Sequence, residues 1–209
     1  MILTHSHADA IMGLDDLRAW TLNACIQPFV DVYLNAATMA FVSQVFPYLV
    51  DTSKASGGGD VAGLRFHVMT VRDDGTYEAL NLYGMSIQPF DVEHGKLAED
   101  PFMCLGFRFN NVVYVSDTNA IPPSSQQYLN DAEIIILDAL HDKKHFSHLS
   151  IEQAVDELVK DKPALAFLTG FSHRVDQHPT QINVNAMVRA KSSSVDIRLA
   201  FDGLRVKMQ

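Results

Sequence analysis

At 209 residues the chain has room for one sizeable core and is too short for an eight-fold βα barrel, so a single domain spanning residues 1–209 is expected. Its net charge of −9, with no basic cluster beyond Lys143-Lys144, argues against a nucleic-acid partner. No apolar run approaches the length of a membrane span and no signal-peptide pattern opens the chain; the expectation is a cytoplasmic protein with no membrane partner.

In chain order, Ile2-Leu3 reads as an apolar strand start leading into T-H-S-H-A-D-A-I-M-G-L-D-D-L-R, residues 4–18. Along an extended segment alternate positions face the same way, so His5, His7 and Asp9 can converge. Helices are predicted over 14–22 and 37–49, and S-K-A-S-G-G-G-D (53–60) reads as a surface loop. Strands are predicted over 64–71, 77–83, 86–92, 103–109, 112–116, 134–137, 164–169, 195–200 and 204–207. Asn110-Asn111 is placed to turn a hairpin, because asparagine tolerates positive φ. Helices are also predicted over 124–130 and 151–160, the latter opened by a capping box of Ser150 and Gln153. Runs such as I-I-I-L and V-V-Y-V are apolar on both faces, which calls for helices over the sheet and a mixed α/β fold. Cys25 and Cys104, far apart and among apolar residues, read as reduced core thiols.

The chemistry-bearing residues cluster where strands end. His94 follows the strand predicted over 86–92, and Asp117 follows V-V-Y-V-S. An aspartate at a strand end is as often a turn or cap residue as a functional one. His141, His145 and His148 lie in H-D-K-K-H-F-S-H, and His173 and His178 in T-G-F-S-H-R-V-D-Q-H. Nine histidines, most of them just after strands, form a pattern that core packing does not explain. Imidazole and carboxylate together suit a borderline divalent ion such as Zn²⁺ or Mn²⁺.

The opening H-x-H-x-D motif with its G-L-D-D-L-R extension resembles the signature of metallo-β-lactamase-fold hydrolases. Within them it is similar to the branch that includes the cyclic phosphodiesterase of bacterial phosphonate breakdown. The likeness continues through V-x-H-G, V-V-Y-V-S-D-T-N, L-D-A-L-x-x-x-x-H-x-S-H and a closing L-A-F-D-G-L-R-V. It implies an αββα sandwich with a centre of one or two divalent metals, Zn or Mn. Carried over by position, His5, His7 and His94 match ligands of a first metal, Asp117 a bridging carboxylate, and Asp9 a ligand of a second metal. His148 matches a histidine that helps the leaving group depart, consistent with general-acid work near neutral pH.

Two positions depart from the family pattern, and both belong to the second metal. Ala10 and Gly170 stand where the family has histidines, and neither side chain carries a donor atom. His173 is either a replacement ligand or a packing residue. The family also has strands before its H-x-H-x-D motif, which here begins four residues from Met1. The sandwich is therefore expected to lack its first strands, leaving an edge that favours association into a homodimer. The expected function is hydrolysis of a small cyclic or nucleotide-like phosphodiester by a metal-activated water, with Asp9 and His148 as catalytic groups. A one-metal ester or thioester hydrolase and a catalytically degenerate metal-binding protein are the alternatives.

Overall fold

A computed structural model of the chain describes residues 1–57 and 59–207. The chain is mixed α/β, as the alternation of helical and strand patterns implies, and divides into two compact units, Met1–Glu78 and Ala79–Gln209. Among the described residues no helix is long and apolar enough to cross a membrane.

In the first unit, α1 (Ala8–Ile11) and a 3-10 segment, Met12–Leu17, precede α2 (Arg18–Thr21), so the helix predicted over 14–22 is broken into short turns. Strand β1 (Val30–Leu34) was not among the predicted strands, although V-D-V-Y-L alternates buried and half-buried residues as a period-two strand should. It pairs in parallel with β2 (Leu64–Val68). Helices α3 (Ala36–Val45) and α4 (Pro47–Val50) replace the single helix predicted over 37–49. The break falls at Phe46, whose α conformation is disfavoured by the following Pro47. Leu3, Ile11, Leu14, Val32, Leu34 and Val42 form this unit's core. Cys25 is exposed, not a core thiol: the chain leaves α2 through Asn23 and Ala24, both at positive φ, which turns the next residue outward.

The second unit is built on a seven-stranded sheet in the order β3-β4-β5-β6-β7-β8-β9. Strands β3 (Leu80–Leu82), β4 (Met85–Leu97), β5 (Asp100–Phe109) and β6 (Val112–Val115) pair antiparallel. Strands β6, β7 (Ile134–Asp138), β8 (Leu165–Thr169) and β9 (Asp196–Leu199) pair in parallel. The β5–β6 hairpin turns at Asn110 with φ of 51°, as its residue type predicts. Parallel neighbours need crossovers. The β7–β8 crossover is α5 (Ile151–Asp161), opened by the Ser150–Gln153 capping box, and the β8–β9 crossover is α6 (Gln177–Ala190). The second crossover helix was not predicted: only Val184 and Val188 bury, and Pro179 sits in its first turn, where proline is tolerated. Residues 204–207 form no strand, and 124–130 supplies only a 3-10 turn at Gln126–Tyr128. Val113, Val115, Ile135, Leu137, Ala166 and Leu168 are fully buried along three adjacent strands, so the strand ends beside them are rigidly placed.

Asp161 ends α5 under strain of another kind. Its Oδ1 accepts a hydrogen bond from Gln126 Nε2 at 2.6 Å, its Oδ2 is buried without a partner among the described residues, and burial pushes its pKa up to about 6. A carboxylate at a helix C-terminus also faces the negative end of the helix dipole. A folded pKa above the unfolded 3.8 means the folded state binds more protons between the two values. Stability from this group is therefore complete below pH 3.8 and lost as pH rises through about 6. Melting temperature should fall between about pH 4.5 and 7 in the native chain, and fall less in Asp161→Asn. Equal slopes in thermal melts of the two would show that Asp161 is not the source.

Candidate metal centre and its hydrogen-bonded support

A bulged segment of β4 and the ends of β6 and β7 in the second unit carry the candidate site. His94 is not past the end of a strand, as the sequence suggested, but inside β4, which runs on to Leu97 with a register shift between Glu93 and Lys96. A bulge of this kind re-aims side chains without ending the strand. Gly95, at φ of 84°, gives the bulge its backbone freedom, and its N–H donates to Asn119 Oδ1 at 2.5 Å. The loop after β6 is stapled to the same bulge. Glu93 N–H donates to the Ala120 carbonyl at 3.0 Å, and the Thr118 hydroxyl donates to the Glu93 carbonyl at 2.8 Å. Asp117 is thereby held next to β4.

His94 is 3% exposed, and its Nδ1–H donates to the Ser147 carbonyl at 2.6 Å. A carbonyl can only accept, so the lone pair of His94 lies on Nε2. His148, in the loop between β7 and α5, is arranged alike: its Nδ1–H donates at 2.8 Å to Oδ2 of Asp138, the last residue of β7. The same Oδ2 accepts from the Thr118 N–H at 3.1 Å. Asp138 is fully buried, and that burial pushes its carboxyl up against the opposing pull of the His148 hydrogen bond. The rings of His94 and His148 meet edge-on at 4.8 Å between centroids, and one donor atom each from His94, Asp117 and His148 lies within 4.8 Å of the others. Two imidazoles, each braced through Nδ1, beside a carboxylate are a donor set that fits a divalent ion. His145 stands next, its ring 5.3 Å from His148, and desolvation together with the charges of His148 and His141 holds it below the usual histidine range.

The first unit presents the other expected residues. His5 is buried and His7 exposed, with ring centroids 4.6 Å apart. Asp9 is not on the extended segment: His7 caps α1 and Asp9 lies within that helix, so the alternation ends at His7. Ala10 packs its methyl against the core of this unit. In the second unit, His173 lies exposed in the turn between β8 and α6, and the His94–Asp117–His148 group does not include it. His178 is exposed on α6. Asp138 is the residue that the sequence did not single out. Its position ten residues before His148, at the end of an apolar strand, was the available signal.

A family model described as the beta-lactamase superfamily domain matches residues 1–171. A solved diphosphatase of the PhnP family is 28% identical, aligned over 100% of this chain and 70% of its own, with a TM-score of 0.77. YhfI of Bacillus subtilis is 16% identical over 97% of this chain and 74% of its own, at a TM-score of 0.70. Zinc-bound PqqB of Methylobacterium extorquens is 15% identical over 99% and 72%, also at 0.70. These last two share the fold alone. An octanoyltransferase of Porphyromonas gingivalis is 23% identical over 185 residues, 88% of this chain and 34% of that protein, so the chain spans about a third of the length of this curated relative. By the extent of the family match, the chain belongs to the beta-lactamase superfamily domain family and has the metallo-β-lactamase fold.

Proposed function

We propose that the chain is a metal-dependent phosphodiesterase acting on a small cyclic or nucleotide-like phosphodiester. The observation that carries this reading is the pairing of His148 with a buried carboxylate, beside the His94–Asp117 donors. An imidazole backed by Asp138 is suited to hold a proton and deliver it from Nε2 to a departing alkoxide. A similar solved structure is a PhnP-family diphosphatase, which supports chemistry at phosphorus.

In this reading His94 and Asp117, with His5 and His7 as the family pattern implies, hold the first ion. Asp9 orients the attacking water or binds a second ion, a role for which His173 is the other candidate from the sequence. When bound, Zn²⁺ or Mn²⁺ supplies Lewis acidity and lowers the pKa of a water molecule. The chain's residues then do the rest: Asp138 fixes the tautomer and direction of His148, and His148 protonates the leaving oxygen.

The absence of donor side chains at Ala10 and Gly170 favours one second reading, a one-metal ester or thioester hydrolase. A substrate panel separates the two. Protein stripped with chelator and reloaded with Mn²⁺ or Zn²⁺ is expected to hydrolyse cyclic nucleotides or aryl phosphodiesters faster than thioesters and carboxylic esters. The reverse order would establish the second reading, and no turnover of any class at full metal loading would make the chain a binding protein.

A further inference from the structure

Gly170 follows β8 at φ of 76°, a conformation that side chains resist. A Cβ built there would lie 2.6 Å from Asp138 Oδ1 and 3.5 Å from the Ser116 carbonyl oxygen. The space that a side chain at 170 would fill is thus bordered by two oxygens. One of them is anomalous: Asp138 is fully buried, its Oδ2 accepts from His148 and Thr118, and its Oδ1 has no hydrogen-bond partner among the described residues. A buried carboxylate oxygen with no donor is costly and calls for an explanation. A histidine at 170 could satisfy it with a proton, but the residue facing it is a glycine. Asp117, the residue after Ser116, adds a second carboxylate close enough to act electrostatically on Asp138. Gly170 also lines an open cavity of about 530 Å³ with Phe171, Ser172 and Phe201.

We propose that Asp138 Oδ1 is a metal donor, directed at a divalent cation seated in the space that Gly170 leaves open beside the Ser116 carbonyl. This deepens the metal-dependent reading above and rests on it. Glycine at 170 is then not a lost ligand: it makes room for a carboxylate where the family uses an imidazole. The donors become oxygens, which changes the metal. Carboxylate and carbonyl favour Mn²⁺ or Mg²⁺ over Zn²⁺. Asp138 serves both halves of the centre, holding His148 through Oδ2 and the cation through Oδ1.

The test is Mn²⁺ stoichiometry and affinity on chelator-stripped protein, by calorimetry and mass spectrometry. Asp138→Asn keeps the shape of the side chain and is expected to bind one Mn²⁺ fewer than the native chain, or to bind it with a loss exceeding roughly 100-fold, the upper end of what losing a mere supporting group costs. Gly170→Ala, which places a methyl against Oδ1, should weaken the same ion. Unaltered Mn²⁺ binding in folded Asp138→Asn and Gly170→Ala would overturn the proposal, as would loss of that ion in His173→Ala. Because the readout is binding, a chain that takes up the ion yet hydrolyses no phosphodiester would refute the proposed function and leave this site standing.

Discussion

Replacing His148 by alanine is expected to lower turnover of a phosphodiester with an alkyl leaving group by about 10²–10⁴-fold and to leave metal content unchanged. The range is what a positioned general acid contributes, and the geometry explains why this imidazole is positioned. Asp138 is anchored at the end of β7 by buried neighbours on both adjacent strands, so its Oδ2 is a fixed acceptor for Nδ1. The Leu149 N–H donates to the Thr118 carbonyl at 2.6 Å and ties the residue after His148 to the loop that carries Asp117. The imidazole therefore has one direction in which to present Nε2. A general acid matters most when the departing oxygen is basic. The same variant should lose much less activity on a p-nitrophenyl ester, whose leaving group departs without a proton. Equal losses on both substrates would remove the acid role. Loss of metal would make His148 a ligand, an option that its donor distance to His94 and Asp117 leaves open.

Two residues of the candidate site, Asp117 and His148, were legible in the sequence because each lies past the point where a strand pattern stops. Asp117 and His148 follow runs so apolar that only a buried sheet can hold them, and the hairpin at Asn110 and the capping box at Ser150 have local causes that survive in the fold. What could not be read depends on contacts between segments. His94 lies inside a strand because Asn119 and Ala120 pair with its neighbours across a bulge, which no pattern within 86–97 announces. Asp9 turned away from the extended segment because Ile11 and Leu14 bury together and draw the chain into helical turns. Asp138 looked like an ordinary strand end, since its two carboxylate oxygens acquire different surroundings only once β6, β8 and the His148 loop surround it. For Gly170 the sequence shows only the lack of a donor side chain; its positive φ and the Asp138 oxygen in front of it belong to the fold, not to the motif.

The largest expected loss of stability comes from Gly106→Val. Gly106 lies in β5 directly opposite Phe90 of β4, and Phe90 lies across it, 2% exposed and stacked on Tyr128 at 4.9 Å. Even a single Cβ at 106 would approach Phe90 Cζ to 2.5 Å and Val115 Cγ2 to 3.1 Å, so the ring has to leave its place. Valine adds two more methyls to a core already closed on both strands, and the cost is expected near 3 kcal/mol, the upper end for overpacking. It should appear as a lower denaturant midpoint with an unchanged slope. The consequence reaches the site, because Phe90 is four residues before His94 on the same strand and the bulge depends on register between β4 and β5. Metal affinity should therefore fall together with stability. The cause is separable from a general weakness of β5: Gly106→Ala combined with Phe90→Leu vacates the contested space and should be more stable than Gly106→Ala alone. If the double variant is no better, the ring is not what the glycine accommodates, and the strand must owe its glycine to backbone conformation instead.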